Sequence, residues 1–347
     1  MENKIKEYNE WLYKQDTSKL GTGLFSGKTG LCLYWYQQSR IYRKKDFEHL
    51  ADTLIEEIIQ NIDKSSSIDY GKGLVGIAMS LLYMEKQHYI EGNPFEMLKE
   101  ITDKIYQELY FGIMSRQNLT NTDHISIIYA LLYLCKYLHL KGISSNERNV
   151  IKGIIVKGIN LLEESTRNSS IGDSLLFSPF DNYVPLFLRL LSRVYELDIF
   201  SYKLDMICKE WKDRIQTLFP LSDGNRFILQ TELEHLSQYC RSSEAEIFNN
   251  HAKLLKEQTD LLHFINVEMR SRNIYIYSGL AGLLMYSVNA CSPIDDRYYG
   301  HISTRVLQSP VWDDWKSHLN EEGVSFAFYN SLTGVVYSYQ QFFSKQL

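Results

Sequence analysis

The sequence lacks the features that mark membrane-spanning, nucleic-acid-binding and secreted chains. None of its 347 residues falls in a run of the ~18 uninterrupted apolar residues that a membrane span needs. The net charge is −5, and there is no polybasic segment, which argues against nucleic acid and an anionic membrane surface as partners. Residues 1–7 are charged and contain no apolar signal core, so we expect a cytoplasmic protein.

Metal-binding and nucleophile motifs are also missing. The chain has five cysteines, with no C-x-x-C pair and no Cys-His neighbours at a metal-ligand spacing. They lie far apart in apolar or helical surroundings, which indicates buried thiols: Cys32, Cys135, Cys208, Cys240 and Cys291. No elbow motif surrounds a Ser or Cys, and no alternating pattern of convincing length predicts β-strands.

What the sequence does contain is a repeated G-x-x-G pattern at the start of apolar runs. It is clearest in residues 277–286 and recurs in 27–35, 73–82 and 330–337. Small residues at these two positions are typical of a buried helix whose start passes close to other backbone. Weaker copies occur at 124–131, at 182–188 and around 229–233. The steps of roughly 46 to 58 residues are close to those of helical-pair repeats.

Each apolar run is preceded by an amphipathic segment. In residues 46–63 the apolar side chains recur at steps of three and four, and the opposite face is acidic, which predicts a helix with one wet face. Comparable segments are 95–110, 146–164, 202–218 and 244–265, with shorter ones at 5–13 and 294–307. We expect Asp46 and Ser145 to cap two of these outer helices.

This alternation predicts an all-α single domain spanning residues 1–347. A helix that is apolar all round must be covered on both sides. Seven such inner helices, each backed by an amphipathic outer helix, would close into a double ring, an α/α toroid. The alternative is an open solenoid, whose concave face would expose the inner helices. Because the inner runs are so apolar, we favour closure, with residues 292–323 crossing the ring as a long loop.

The pattern resembles the lanthionine synthetase C-like family, which includes the cyclases of lanthipeptide biosynthesis. The resemblance covers the whole chain and rests on the G-x-x-G helices. Its most specific elements are Gly279 to Gly282 in the sixth copy, Ser325 with residues 331–334 in the seventh, and Val184-Pro185 in the fourth. It implies an α/α toroid and a zinc ion that lowers the pKa of a substrate thiol before it adds to a dehydroamino acid.

The residues that the resemblance assigns to zinc are not zinc ligands here. Tyr277 and Ser278 stand where the family has Cys-His, and Leu229 stands where the fifth copy has its Cys. Asn182 replaces a His in the fourth copy. These side chains do not substitute for thiolates and imidazole, so we expect no zinc cofactor and no cyclase chemistry. Tyr277 and Ser278 could alternatively be plain helix-entry residues, with Ser278 as an N-cap.

Three other constellations carry weaker hypotheses. His235 and Cys240, with Glu232 and Glu234, would need ligands from another repeat to hold a metal, and an interior His with surface carboxylates is the simpler interpretation. His124 could act as an acid or base, or residues 121–123 could only form a cap. An α/α-toroid glycoside hydrolase would need two carboxylates at the cavity mouth, and the candidates are Asp69, Asp123, Asp173 and Asp181.

We therefore expect a non-catalytic protein that binds a peptide or a partner enzyme of a modified-peptide pathway. The alternatives are a metal-free enzyme acting on a peptide, or the glycoside hydrolase, in the same cavity. If all inner helices begin at one mouth, their N-terminal N–H groups would favour anionic or carbonyl-bearing ligands there. The predicted lining residues are Asp69, Tyr70, His124, Asn182, Leu229, Tyr277, Ser278 and Asn330.

Overall fold

A computed structural model describes residues 2–62, 67–116, 118–167, 176–289, 294–315 and 326–344. Across these ranges the regular secondary structure is helical, and the only β-type pairing is an isolated bridge between Gly21 and Gly27. The all-α prediction is confirmed. No helix of this described part has the length and apolar character needed to cross a bilayer.

In chain order the helices are α1 Glu2–Leu12, α2 Lys28–Tyr42, α3 Lys45–Gln60, α4 Leu74–Lys86, α5 Pro94–Gln107, α6 Asn121–Tyr137, α7 Ser145–Arg167, α8 Tyr183–Glu196, α9 Ser201–Thr217, α10 Asp223–Tyr239, α11 Glu244–Gln258, α12 Leu261–His263, α13 Leu280–Asn289, α14 Tyr299–Leu307, α15 Val311–Asp314 and α16 Leu332–Ser344. Two π-helical segments extend this set, Glu108–Ile113 after α5 and Phe264–Glu268 after α12.

Buried and half-exposed helices alternate as the sequence predicted. Helices α2, α4, α6, α8 and α10 are buried over most of their residues, and they form the inner set together with α13 and α16. By contrast, α3 and α5 bury a single apolar face. The inner helices are thus covered on both sides, as their apolar composition requires.

Contacts run from each inner helix to the next. Helices α2, α4, α6, α8 and α10 pack consecutively, α13 packs on α16, and α16 packs on α2. The link from α10 to α13 is made by Tyr286, whose hydroxyl donates to Glu232. One cluster of buried apolar side chains extends from Ile5 to Phe342. The last inner helix therefore contacts the first.

The G-x-x-G pattern has a shared structural cause. Before α2, α4 and α13, an entry loop folds back so that the first helical N–H donates to a carbonyl seven residues earlier, namely Lys28 to Gly21, Leu74 to Ser67 and Leu280 to Asn273. A Cβ at the second small position would strike a carbonyl oxygen of the same loop at 1.9–2.2 Å, as at Gly30, Gly76, Gly282 and Gly334. Only glycine fits there.

Two of the weaker copies begin earlier than predicted. The N-cap of α6 is Thr120, which forms a capping box with Asp123, and the N-cap of α10 is Ser222. Leu229 therefore lies about two turns inside α10. The predicted outer caps are also displaced, since Lys44 is the N-cap of α3 and the Ser144 hydroxyl accepts the Glu147 N–H at the start of α7. Without glycines, these starts had no strong sequence marker.

In the described part of the segment expected to cross the ring, residues 294–315, the last residue packs against the first helix. This part contains α14 and α15, and the indole N–H of Trp312 donates to the Val306 carbonyl at 2.7 Å. The Trp315 ring meets Tyr8 and Trp11 of α1 edge-on. Cys291 and Ser325 lie outside the described residues.

Candidate functional site

Six of the inner helices line a cavity of about 460 Å³. This volume is within the range of small-molecule and peptide-side-chain sites. Helices α2, α4, α6, α8, α13 and α16 all contribute to its walls. Its aromatic and sulfur-bearing lining consists of Tyr70, Met79, Tyr83, Tyr129, Cys135, Phe180, Met285, Tyr286 and Tyr337, and its charged lining of Lys86, Lys136, Arg189, Arg193 and Glu196.

An aromatic layer lies at the end of the cavity where the entry loops are, and Tyr70, Tyr129 and Phe180 of this layer line the cavity. Phe25 stacks on Tyr329 at 4.1 Å, Tyr70 stacks on Tyr129 at 4.0 Å, and Phe25 meets Tyr70 and Phe180 edge-on. The Tyr129 hydroxyl donates to the Phe180 carbonyl at 2.8 Å. Because four of these five rings come from entry loops, the loops meet at the end where the inner helices begin.

Charged side chains are concentrated at the opposite end, near the last turns of α4, α6 and α8. Lys86, Lys136 and His139 are exposed there, and all three line the cavity. Arg193 donates to the Glu196 carboxylate at 2.8 Å. The cavity therefore has an aromatic end and a mainly cationic end.

Arg189 comes from the middle of α8, lines the cavity and is paired with a buried carboxylate. It donates to the Glu232 carboxylate, with Nε at 2.9 Å, and the Tyr286 hydroxyl donates to the same oxygen at 2.6 Å. Burial by itself lowers the pKa of Arg189, but the Glu232 carboxylate raises it well above its usual range. Glu232 is buried, so the sequence-based interpretation of it as a surface carboxylate is wrong.

Lys86 and Lys136 have no carboxylate partner within the described ranges. The Lys136 side chain is open to the cavity, yet protein surrounds it. This desolvation, followed by the nearby cations Arg193, Arg189 and Lys86, lowers the pKa of Lys136 to about 8. Positive charge at this end of the cavity is therefore only partly neutralised.

Among the predicted lining residues, the structure places Tyr70 in the cavity wall. Asp69 is half-buried in the entry loop of α4, where its carboxylate accepts the Lys72 N–H at 2.6 Å. Tyr277 is exposed and meets Tyr329 edge-on at 4.8 Å, on the outer side of the aromatic layer. Ser278 is half-buried and Asn330 is exposed.

Asn182 and His124 are buried near helix starts, away from the cavity lining. Asn182 is the N-cap of α8, although its side chain makes no capping bond. His124 packs against the Tyr183 ring, its Nε2 has no hydrogen-bond partner within the described part of the chain, and burial lowers its pKa. Asp123 caps α6 together with Thr120, so a cap exists here, displaced from the predicted residues 121–123.

The residues assigned to zinc by the family resemblance do not fit that ion. Leu229 has no donor atom and is buried in α10. Tyr277 and Ser278 supply hydroxyls in place of a thiolate and an imidazole, whereas zinc sites require several N or S ligands. This donor set provides no basis for a zinc-dependent step.

Within the described residues, one group of three potential metal ligands comes together, and it lies elsewhere. Asp223, His263 and Glu268 meet beside the start of α10. Their oxygen atoms already serve the local fold, because Glu268 accepts from the Ser222 hydroxyl and the Asp223 N–H. His235 faces Glu196 at 3.6 Å, and Cys240 instead contacts Ser242 at 3.0 Å.

The predicted anion site at the helix N-termini is weakened by the entry loops. The first N–H groups of α2, α4 and α13 already donate to loop carbonyls. Of the carboxylates considered for glycoside hydrolysis, Asp69 and Asp181 both lie near the Tyr329 hydroxyl, and burial raises the pKa of Asp181. Asp123 serves the α6 cap, and Asp173 lies outside the described residues.

The charged end of the cavity was missed by the sequence analysis. The sequence did contain an indication of it, because two arginines, Arg189 and Arg193, lie one helical turn apart on a helix that is otherwise buried nearly all round.

A scan against known protein families found no match for this chain, and a search of curated proteins found none either.

Proposed function

We propose that this chain is an α/α toroid of the lanthionine synthetase C-like type that binds a peptide in its central cavity and does not carry out zinc-dependent cyclisation. The toroid is supported by the contacts that run through the inner helices from α2 to α16 and return to α2. It is supported further by the shared entry-loop geometry of the G-x-x-G copies.

The observation that carries the functional proposal is the cavity itself. Six inner helices line a space of about 460 Å³ whose walls combine tyrosine rings, methionines and polar groups. Rigid aromatic faces beside a few placed polar groups are typical of sites that bind peptides and amphipathic small molecules. Ser338 belongs to this lining, and its buried hydroxyl has no hydrogen-bond partner among the described residues.

The case against cyclase chemistry rests on the side chains that occupy the assigned ligand positions. Leu229, Tyr277 and Ser278 offer no thiolate and no imidazole. A peptide held in the cavity would also lie across the aromatic layer from Tyr277 and Ser278. Binding without cyclisation is therefore the activity that this arrangement supports best.

The test is calorimetric titration with short N-acetylated peptides, using a variant that fills the cavity. Met79 lines the cavity and is only partly buried, so Met79→Trp should occupy ligand space. We expect binding to weaken by at least about tenfold, a loss of ~1.4 kcal/mol. Ile59→Trp on the exposed face of α3 is the matched control and should bind like the parent.

Two results would overturn this proposal. Peptide binding that is equally strong in Met79→Trp and the parent would place the ligand on the outer surface. One zinc ion per purified chain, with thioether formation on a dehydrated peptide, would restore the cyclase hypothesis.

A further inference from the structure

The cationic end of the cavity contains more positive charge than its own carboxylates neutralise. Arg189 is paired with Glu232, and Arg193 with Glu196. Lys86 and Lys136 line the same end without an acidic partner in the described part of the chain. Two ammonium groups thus face the same cavity, at an end where both lysine side chains also reach solvent.

Leaving like charges together in such a space costs free energy that an anion would recover. Lys136 is surrounded by protein and has Arg193, Arg189 and Lys86 as charged neighbours. Coulombic interactions are stronger here than in bulk water because the effective dielectric constant is lower. An anion bound between Lys86 and Lys136 would reduce their mutual repulsion and accept charge-assisted hydrogen bonds from both.

The remaining walls define what the anion must be attached to. Beyond the lysines the lining includes apolar and aromatic side chains, with Met79, Leu132, Tyr129 and Tyr337. A small hydrated ion would leave these surfaces unused, whereas a ligand with an apolar group next to its charge would bury both parts. The chemistry required is therefore a carboxylate carrying an adjacent apolar or aromatic side chain.

We propose that Lys86 and Lys136 bind the C-terminal α-carboxylate of a peptide whose last residue is apolar or aromatic. This inference rests on the proposed peptide-binding function and specifies which end of the peptide enters. The last side chain packs among the tyrosine and methionine side chains of the wall, and the carboxylate lies at the cationic end of the cavity. The preceding residues extend out of that end, between the last turns of α4, α6 and α8.

The probes are acetyl-Ala-Ala-Phe as the free acid and as the C-terminal amide, which differ only in the charged group. Calorimetric titration at pH 7 is expected to show binding of the acid that is at least about tenfold tighter than binding of the amide. Lys86→Met and Lys136→Met should each remove most of this preference. Lys253→Met, on the exposed surface of α11, is the matched control and should preserve it.

The outcomes distinguish failure of carboxylate recognition from failure of the peptide-binding proposal on which it rests. If acid and amide bind equally and the lysine variants change neither, peptide binding stands and carboxylate recognition is wrong. If neither probe binds, and longer peptides also fail, both proposals fall. If inorganic phosphate binds in a Lys86- and Lys136-dependent way while the acid does not, the site is a phosphate site and the proposal is overturned. Melting temperatures of all variants must match the parent within the error of the measurement.

Discussion

At the scale of single residues, the glycines of the repeat are explained by carbonyl groups and not by flexibility. The second glycine of each clear copy faces the entry loop of its own helix, and Gly282 lies where a Cβ would be 2.2 Å from the Ile276 oxygen. That oxygen belongs to backbone, which is held by the hydrogen bonds from Leu280 and Ala281 to residues 273 and 274. The loop therefore has little freedom to move aside.

A pair of identical substitutions tests this explanation. Gly282→Ala is expected to lower the free energy of unfolding by about 1–3 kcal/mol, because the added methyl forces the loop away from the helix. Gly153→Ala is the control, since Gly153 lies in α7 with open space around it and should gain about 0.5–1 kcal/mol from the lower entropy of the unfolded chain. Urea denaturation measures both. Equal stabilities for the two variants would contradict the close-approach role.

At the scale of elements, the Glu232 carboxylate joins three successive inner helices, through an ion pair with Arg189 and a hydrogen bond from Tyr286. Glu232 of α10 accepts from Arg189 of α8 and from Tyr286 of α13. Sequence reasoning placed Glu232 on the surface because a carboxylate in an apolar run is usually the solvated residue. The partners that allow its burial come from two other repeats, about 43 and 54 positions away.

Neutralising Glu232 should lower the free energy of unfolding substantially, whereas neutralising Glu234 on the same helix should change it little. Glu232→Gln leaves Arg189 without a counter-charge, and we expect a loss of about 3 kcal/mol in unfolding free energy, at the lower end for a broken buried pair because Arg189 is partly exposed. Glu234→Gln is the matched control. Its carboxylate faces the exposed Lys256, so the change should stay below about 1 kcal/mol. Chemical denaturation gives both values, and a Glu232→Gln variant as stable as Glu234→Gln would show that the ion pair adds nothing.

Helix positions were predicted well where periodicity was strong and poorly where only caps marked the boundary. The amphipathic segments 46–63 and 202–218 correspond closely to α3 and α9. The starts of α6 and α10 were misplaced, because the Thr120 and Ser222 caps are short polar residues that occur equally in loops. An apolar run fixes a helix, but its first turn depends on which carbonyls the preceding loop presents.

At the scale of the whole molecule, buried neutral histidines are distributed over several helices. Burial lowers the pKa of His124 in α6, His235 in α10 and His251 in α11. In the unfolded chain these groups titrate near 6.5. Below that pH the unfolded state binds more protons than the folded state. The contribution of the three histidines to the free energy of unfolding is therefore complete above about pH 6.5 and is lost as the pH falls.

The melting temperature should therefore decrease as the pH is lowered from 7.5 to 5.5. His263 acts in the opposite direction, since its hydrogen bond with Asp223 raises its pKa, but it is exposed to solvent and its effect is screened. Replacing His124, which has no hydrogen-bond partner at Nε2 among the described residues, by Phe should make the decrease shallower. A pH-independent melting temperature in the parent, or an identical slope in His124→Phe, would argue against this assignment. Differential scanning fluorimetry in matched ionic strength suffices.

The cavity also belongs to this scale, because no single repeat predicts it. The sequence analysis expected a ligand where the inner helices begin, since the family resemblance and the helix dipoles both favour that end. In the structure the entry loops occupy the first N–H groups there, and an aromatic layer lies at that end of the cavity. Lys86 and Lys136, which have no acidic partner among the described residues, lie at the opposite end, where the helices finish.

The sequence by itself determined the helical class, the alternation of inner and outer helices and the unsuitability of Leu229, Tyr277 and Ser278 for zinc. Each of these follows from local information, either the period of apolar residues or the chemistry of one side chain. Only the tertiary structure decided that Glu232 is buried, that the entry loops use the helix N-termini, and that Lys86 and Lys136 share one cavity. Those facts depend on which residues of separate repeats come into contact. The 3.6-residue period predicts which side chains share one face of a helix, but it does not predict which other helices pack against that face.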